Sequence, residues 1–135
     1  MSVHQFPNFV VRSLIFVSFI TGTNLSVFAE DTNAGKMDYE ASCAACHGKN
    51  GKGDGPISEE LRTKPSDLTL IAKRNGGVFP TGVLYQVIDG RRTIRAHGSF
   101  EMPIWGFVFR SSGSEDVARE RILAIIGYLK NIQEK

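Results

Sequence analysis

The chain of 135 residues is poor in three features that often reveal a function: cysteine, charge of one sign and long apolar runs. It contains only two cysteines, too few for a disulfide-rich scaffold or a four-cysteine zinc site. Sixteen basic and fourteen acidic side chains nearly cancel, which argues against a nucleic-acid-binding protein. With 41% hydrophobic residues the chain is too apolar to be disordered, and its length fits one domain.

The first 29 residues have the pattern of a secretory signal peptide. Arg12 is their only formally charged side chain, an apolar run occupies residues 14–20, and Ala29 stands just before two acidic residues. The apolar stretch is shorter than the ~20 residues that a helix needs to cross a bilayer. We therefore predict cleavage after Ala29, export to the periplasm and no membrane span in the mature chain. An uncleaved membrane anchor is the alternative.

Cleavage would remove 29 of the 135 residues and leave one domain, from Glu30 to Lys135. In this part, glycine-rich loops separate segments with helical spacing of apolar residues, and no segment alternates polar and apolar residues as a strand does. The sequence therefore predicts an all-α domain, with residues 91–113 mostly irregular. The expected helical segments are residues 35–45, a turn at 57–62, a segment from Pro65 to Asn75, residues 80–88, and a last helix capped by Ser114.

Both cysteines lie in one five-residue motif, Cys43-Ala44-Ala45-Cys46-His47, with the spacing C-x-x-C-H. This is the signature of covalent haem attachment. Thiols three positions apart on a helical turn can reach the two vinyl groups on one porphyrin edge, and the adjacent imidazole can ligate the iron. We predict that Cys43 and Cys46 bind one haem c as thioethers and that His47 is the proximal iron ligand.

Three other uses of the cysteine pair are open. A thioredoxin-like protein also carries C-x-x-C, but its βαβ pattern is absent from this sequence. Zinc would need a second ligand pair, for which His97 alone is too little. A structural disulfide between the two cysteines is compatible with an exported chain. The histidine directly after the second cysteine favours haem over all three.

Residues on both sides of this motif resemble the class I c-type cytochromes, here those of bacteria with a single haem. Gly35 and Tyr39 stand eight and four residues before Cys43, where the family has a glycine and an aromatic residue on its first helix. Tyr128 matches the aromatic residue of the last helix, against which they pack. Residues 47–56 are similar to the loop after the motif in many bacterial members. The resemblance implies a small cytochrome c fold, in which helices and long loops surround one haem.

The resemblance also implies a second axial ligand to the iron. The family usually supplies a methionine downstream of the motif, often followed by proline, and Met102-Pro103 fits this pattern. Met102 is 55 residues beyond His47, enough chain to return on the far face of the haem. A thioether is a soft, neutral ligand that favours ferrous iron. We expect Met102 to be the distal ligand, with His97 as the second choice.

Further expectations concern the groups around the haem. In this family a proline carbonyl accepts a hydrogen bond from the proximal imidazole, which fixes its tautomer and orientation. Pro56 is the best match for that proline, and Pro65 is the alternative. We expect Trp105 and one arginine to bind the haem propionates. The candidate arginines are Arg91, Arg92 and Arg95.

Ligands on both faces of the iron leave no position for a substrate, so the resemblance implies one-electron transfer and not an enzyme. We predict a monomeric periplasmic electron carrier whose partners are a redox protein that donates electrons and another that accepts them. Side chains that could steer an acidic partner are Lys49, Lys52, Arg91, Arg92 and Arg95. The alternatives are a haem c subunit of a larger oxidoreductase and a thiol-disulfide protein.

Overall fold

The structure, a computed structural model, describes Met1, residues 32–92 and residues 102–135. Residues 2–29 of the predicted signal peptide lie outside the described residues, as do Arg95 and His97. In the described ranges all regular elements are helical, which confirms the predicted all-α class. None of the described helices is long and apolar enough to cross a membrane. The α-helices there are α1 (Thr32–Ser42), α2 (Ala44–His47), α3 (Ile71–Arg74), α4 (Thr81–Asp89), α5 (Trp105–Ser111) and α6 (Glu115–Asn131), and short 3-10 helices lie at Ser58–Glu60 and Leu68–Leu70.

The longest of these helices, α6, begins where the sequence predicts it. The hydroxyl of Ser114 accepts a hydrogen bond from the amide of Val117 at 3.3 Å, and two acidic residues occupy the first turn. One side of α6 is buried and forms much of the core, as an amphipathic helix requires. The buried apolar residues on that side are Ala118, Ile122, Ile125, Ile126 and Leu129.

Helix α1 packs across α6 at Gly35, as the sequence predicts. A Cβ at this position would overlap the carbonyl of Ala124, so only glycine lets the two backbones approach so closely. One turn later Tyr39 is completely buried, with its ring centroid 5.1 Å from that of Tyr128. Burial raises the pKa of the Tyr39 hydroxyl well above its ordinary value, and the neighbouring Cys43 adds to the shift. The hydroxyl therefore stays protonated at neutral pH.

The guanidinium of Arg121 links three helices. The guanidinium of Arg121 on α6 lies 4.0 Å from the ring centroid of Phe109 on α5. The same guanidinium donates two hydrogen bonds to the carboxylate of Asp38 on α1, at 3.0 and 2.6 Å. Phe109 is only 1% exposed, so its buried ring contributes to holding α5 against the α1–α6 pair.

Several boundaries differ from the predicted ones. The prediction that residues 91–113 are mostly irregular is wrong for Trp105–Ser111, which forms α5. This seven-residue helix has no capping side chain, so burial of Gly106 and Phe109 stabilises it. Its own residues therefore carry no local pattern that predicts a helix. The predicted helix 35–45 begins earlier, at Thr32, and is interrupted at Cys43. The predicted turn at 57–62 shortens to Ser58–Glu60, with Ile57 in the capping position.

Candidate functional site

The C-x-x-C-H motif folds as one helical turn directly after α1. The amide of Cys43 donates to the carbonyl of Tyr39 at 2.8 Å, which continues the hydrogen bonding of α1. The carbonyl of Cys43 then accepts from the amides of Cys46 and His47, at 3.2 and 2.9 Å. Both cysteines are partly buried and unpaired. The turn therefore presents two thiols and one imidazole from five consecutive residues.

The environment of Cys43 favours the protonated thiol. Burial raises the pKa of this thiol to about 12, and the neighbouring Cys46 and the carboxylate of Asp38 shift it in the same direction. At neutral pH Cys43 is therefore not a thiolate. Because the thiolate is the reactive species in thiol–disulfide exchange, this environment argues against the thiol-disulfide alternative.

The glycine-rich loop after the motif lies against the same turn. Its amides donate to the carbonyls at the end of α2, which have no partner within the helix. The bonds join Gly53 to His47 at 2.8 Å, Gly55 to Cys46 at 3.1 Å and Ile57 to Ala45 at 3.2 Å. A Cβ on Gly55 would overlap the carbonyl oxygens of Ala44 and Ala45, so this close approach requires glycine. The loop thereby fixes the turn through its main chain.

A backbone carbonyl orients the imidazole of His47. The Nδ1 atom lies 3.1 Å from the carbonyl oxygen of Ser66. A carbonyl only accepts hydrogen bonds, so Nδ1 is the donor in this contact, and in the neutral imidazole the lone pair is then on Nε2. The sequence favours Pro56, then Pro65, for this role, whereas the structure places the carbonyl of the residue after Pro65 there. The residue type gave no signal, because every residue has a carbonyl.

Met102 lies just before α5, at the start of the second described range. Its side chain is 38% exposed, and Pro103 beside it is also exposed. Trp105 is half-buried and packs on Phe109, with ring centroids 5.7 Å apart. Ligation of the iron by Met102 and propionate binding by Trp105 stay predictions.

The predicted propionate ligand Arg91 belongs to an ion-pair network. Its Nε lies 2.5 Å from Oδ2 of Asp89, and its Nη2 lies 3.5 Å from Oε1 of Glu115. The carboxylate of Asp89 is only 1% exposed, and its other oxygen pairs with Nη1 of Arg110 at 2.5 Å. A haem propionate at Arg91 would therefore compete with Asp89 for the same guanidinium.

Lys52, a predicted docking residue, is also engaged within the chain. Its ammonium group donates to the hydroxyl of Thr69 at 2.8 Å and pairs with the carboxylate of Glu134. It also lies 3.6 Å from the carboxylate of Asp67. Because this charge is largely neutralised by neighbours, Lys52 contributes less to steering a partner than an isolated lysine would.

Comparison with known proteins finds similarity in the segment that carries the motif. A family model for cytochrome c matches residues 32–83, from the start of α1 into α4. This segment is therefore similar to the cytochrome c family. Cytochrome c-554(547) from Halothiobacillus neapolitanus is 42% identical over 50 residues, which are 36% of this chain and 55% of that protein. The matched region thus spans about half the length of that relative. No solved structure matches the chain.

Members of the cytochrome c family bind haem c covalently, and Cys43 and Cys46 fit the required C-x-x-C pair. The matched segment of this chain includes the motif, the glycine-rich loop and Ser66. Met102 and Trp105 lie beyond it. In residues 32–92 and 102–135 no three or more His, Cys, Asp or Glu side chains are grouped to hold a metal ion, so the zinc alternative has no support there.

Proposed function

We propose that this chain is a monohaem c-type cytochrome that carries single electrons between redox proteins after export to the periplasm. The observation that carries the proposal is the geometry of the motif. Two thiols lie on one helical turn, and the next residue is an imidazole whose Nδ1 contacts the carbonyl of Ser66. When bound, haem c supplies an iron that alternates between the ferric and ferrous states.

The residues of the motif would each hold the haem in a different way. Cys43 and Cys46 would form the two thioethers, and His47 would ligate the iron through Nε2. The hydrogen bond to Ser66 keeps the imidazole in one tautomer and increases its basicity. Met102 would be the second protein ligand to the iron. An iron held by His47 and Met102 would have no position for a substrate, which favours a carrier over an enzyme.

The central test is covalent haem attachment. The full chain, with its own first 29 residues, is expressed in a bacterium that has cytochrome c maturation factors. We expect one haem per chain, a pyridine haemochrome spectrum of the c type, and haem that stays bound in a denaturing gel. Cys43→Ser and Cys46→Ser should each change the haemochrome to that of a single thioether. A colourless wild-type product would refute the proposal.

The mass of the exported chain also tests cleavage after Ala29.

The distal ligand is tested separately. Met102→Ala should remove the weak near-infrared sulfur-to-iron band and lower the reduction potential, because a thioether favours ferrous iron. The reduced wild type should bind carbon monoxide slowly, and the variant should bind it rapidly. Met37→Ala is the matched control, because Met37 is an exposed methionine on α1. Rapid carbon monoxide binding by the wild type would indicate an open iron site and contradict the carrier role.

A further inference from the structure

The end of the chain binds the segment that carries Ser66. The side-chain amide of Gln133, just beyond α6, makes three hydrogen bonds. Its Oε1 accepts from the amide of Ala72 at 2.9 Å, and its Nε2 donates to the carbonyls of Leu68 and Leu129, at 2.8 and 2.7 Å. Two of these bonds reach residues 68–72 and the third reaches α6. One amide group therefore joins the end of α6 to the chain that follows Ser66.

Glu134 adds a second link to the same segment. Its amide donates to the carbonyl of Thr69 at 2.9 Å, and its carboxylate pairs with Lys52. Lys52 in turn bonds the Thr69 hydroxyl at 2.8 Å and lies 3.6 Å from Asp67. We call Lys52, Asp67, Thr69, Gln133 and Glu134 the C-terminal clamp.

Two members of the clamp, Lys52 and Asp67, have pKa values shifted toward their charged forms. The hydrogen bond to Glu134 raises the pKa of Lys52 above its ordinary value, despite the opposing effect of burial. Burial raises the pKa of Asp67, but hydrogen bonds from Thr69 and the charge of Lys52 outweigh it, and the pKa lies below its ordinary value. The links between these side chains are therefore charge-assisted hydrogen bonds and ion pairs.

The clamp binds the chain directly after Ser66. Asp67 follows Ser66 directly and accepts hydrogen bonds from the amide and the hydroxyl of Thr69, at 2.8 and 2.5 Å. The amide of Leu68 also donates to the carbonyl of Gly51 at 2.6 Å, which holds this segment against the loop after the motif. The residues that follow Ser66 are thus held by side chains near residue 134 as well as by the loop after the motif.

We propose that the C-terminal clamp positions the Ser66 carbonyl against His47, and so sets the strength of their hydrogen bond and the reduction potential of the haem. This inference rests on the proposed function. A stronger bond gives the imidazole more anionic character, which stabilises ferric iron. Loosening the clamp should therefore raise the potential. Gln133 and Glu134 are positioning residues for His47 and do not themselves touch the haem ligand.

The experiment compares Gln133→Ala with Ser114→Ala in the holoprotein. Ser114 caps the other end of α6, whose 17 residues span about 25 Å, so its loss loosens the same helix without touching the clamp. We expect Gln133→Ala to shift the equilibrium with a redox mediator toward ferrous haem about threefold, which is roughly 30 mV for one electron. It should also move the proton NMR signal of the His47 Nδ1–H in the reduced protein. Ser114→Ala should lower only the unfolding midpoint.

Two milder variants keep the test sharp should Gln133→Ala fail to fold. Gln133→Glu retains the acceptor for Ala72 and loses both donated bonds, so an intermediate shift is expected. Glu134→Gln weakens the pair with Lys52 and should shift the potential in the same direction. Unchanged potentials and an unchanged His47 signal in haem-containing clamp variants would overturn the inference alone. A wild type without covalent haem would overturn the proposed function and this inference together.

Discussion

The turn that carries His47 and the segment that carries Met102 are stabilised by different kinds of contact. Around His47 the contacts are mostly between main-chain groups, with loop amides that donate to the carbonyls of residues 45–47. Beyond Met102, α5 has no capping side chain and depends on the buried ring of Phe109 and on the Asp89–Arg110 ion pair. The first arrangement follows from short-range spacing and glycine placement, whereas the second depends on side chains distant in sequence.

This difference predicts which substitutions destabilise each region. Main-chain contacts as close as those of Gly55 leave no room for an added atom, so the His47 region should be sensitive to small changes in volume. The α5 region should be more sensitive to loss of charge, because one buried carboxylate joins two arginines from different parts of the chain.

Gly55→Ala should have the largest effect. Its Cβ would overlap the carbonyl oxygens of Ala44 and Ala45, so the loop must move away from the turn. We expect a loss of about 3 kcal/mol in the free energy of unfolding, with less haem incorporated per chain. Chemical denaturation and the haemochrome yield measure these. Gly82→Ala is the control, because its Cβ would meet no atom within 4 Å. Equal effects at both positions would contradict a sterically closed turn.

Asp89→Asn should have the next largest effect, confined to the other region. The substitution keeps the shape of a side chain that is 1% exposed but removes the charge facing Arg91 and Arg110. Because both arginines are partly exposed, we expect a loss of about 2 kcal/mol, less than for a fully buried pair. The near-infrared sulfur-to-iron band should weaken while the His47 proton signal stays in place. Glu115→Gln, at the exposed edge of the network, should lose less than about 0.5 kcal/mol. A shift of the His47 signal in Asp89→Asn would show that the regions are not independent.

The same difference explains what the sequence could predict. The motif, the Gly35–Tyr39 spacing and the Ser114 cap are local patterns, and the structure shows the corresponding helical turn, the helix crossing and the start of α6. Helix α5 depends on burial of Phe109 against α6 and could not be predicted from its own residues. The pairing of Lys52 with Glu134 spans 82 residues, so a lysine that looks available for docking is partly structural.

Tyr39→Phe should have a smaller effect, and it tests one side-chain hydrogen bond in the His47 region. The buried hydroxyl of Tyr39 donates to the carbonyl of Gly48 at 2.7 Å, directly after the motif. Its removal leaves that carbonyl without this donor, so we expect a loss of about 1 kcal/mol. Tyr128→Phe is the matched control, since its exposed hydroxyl donates to the carbonyl of Lys49 at 3.3 Å. A larger loss for Tyr128→Phe than for Tyr39→Phe would refute the importance of the buried bond.

The smallest expected effect comes from titration of the C-terminal clamp, the part of the His47 region that is built from charged side chains. Lys52 has a raised pKa, so its contribution is complete below the ordinary value of 10.5 and is lost as pH rises through the folded-state pKa. Asp67 has a lowered pKa, so its contribution is present above the ordinary value of 3.8 and is lost as pH falls through the folded-state pKa.

Unfolding midpoints of the wild type, Lys52→Met and Asp67→Asn, measured across pH 3–11, would show the alkaline loss from Lys52 and the acid loss from Asp67. Because Lys52 is exposed to solvent, we expect the wild type to exceed Lys52→Met by less than about 2 °C near neutral pH. That difference should shrink in alkali, and the difference from Asp67→Asn should shrink in acid. Lys64→Met, an exposed lysine outside the clamp, should show no such alkaline loss. If the differences in unfolding midpoint do not vary with pH, the clamp stabilises the fold through packing and hydrogen-bond geometry and not through charge. It would then resemble the main-chain contacts around His47.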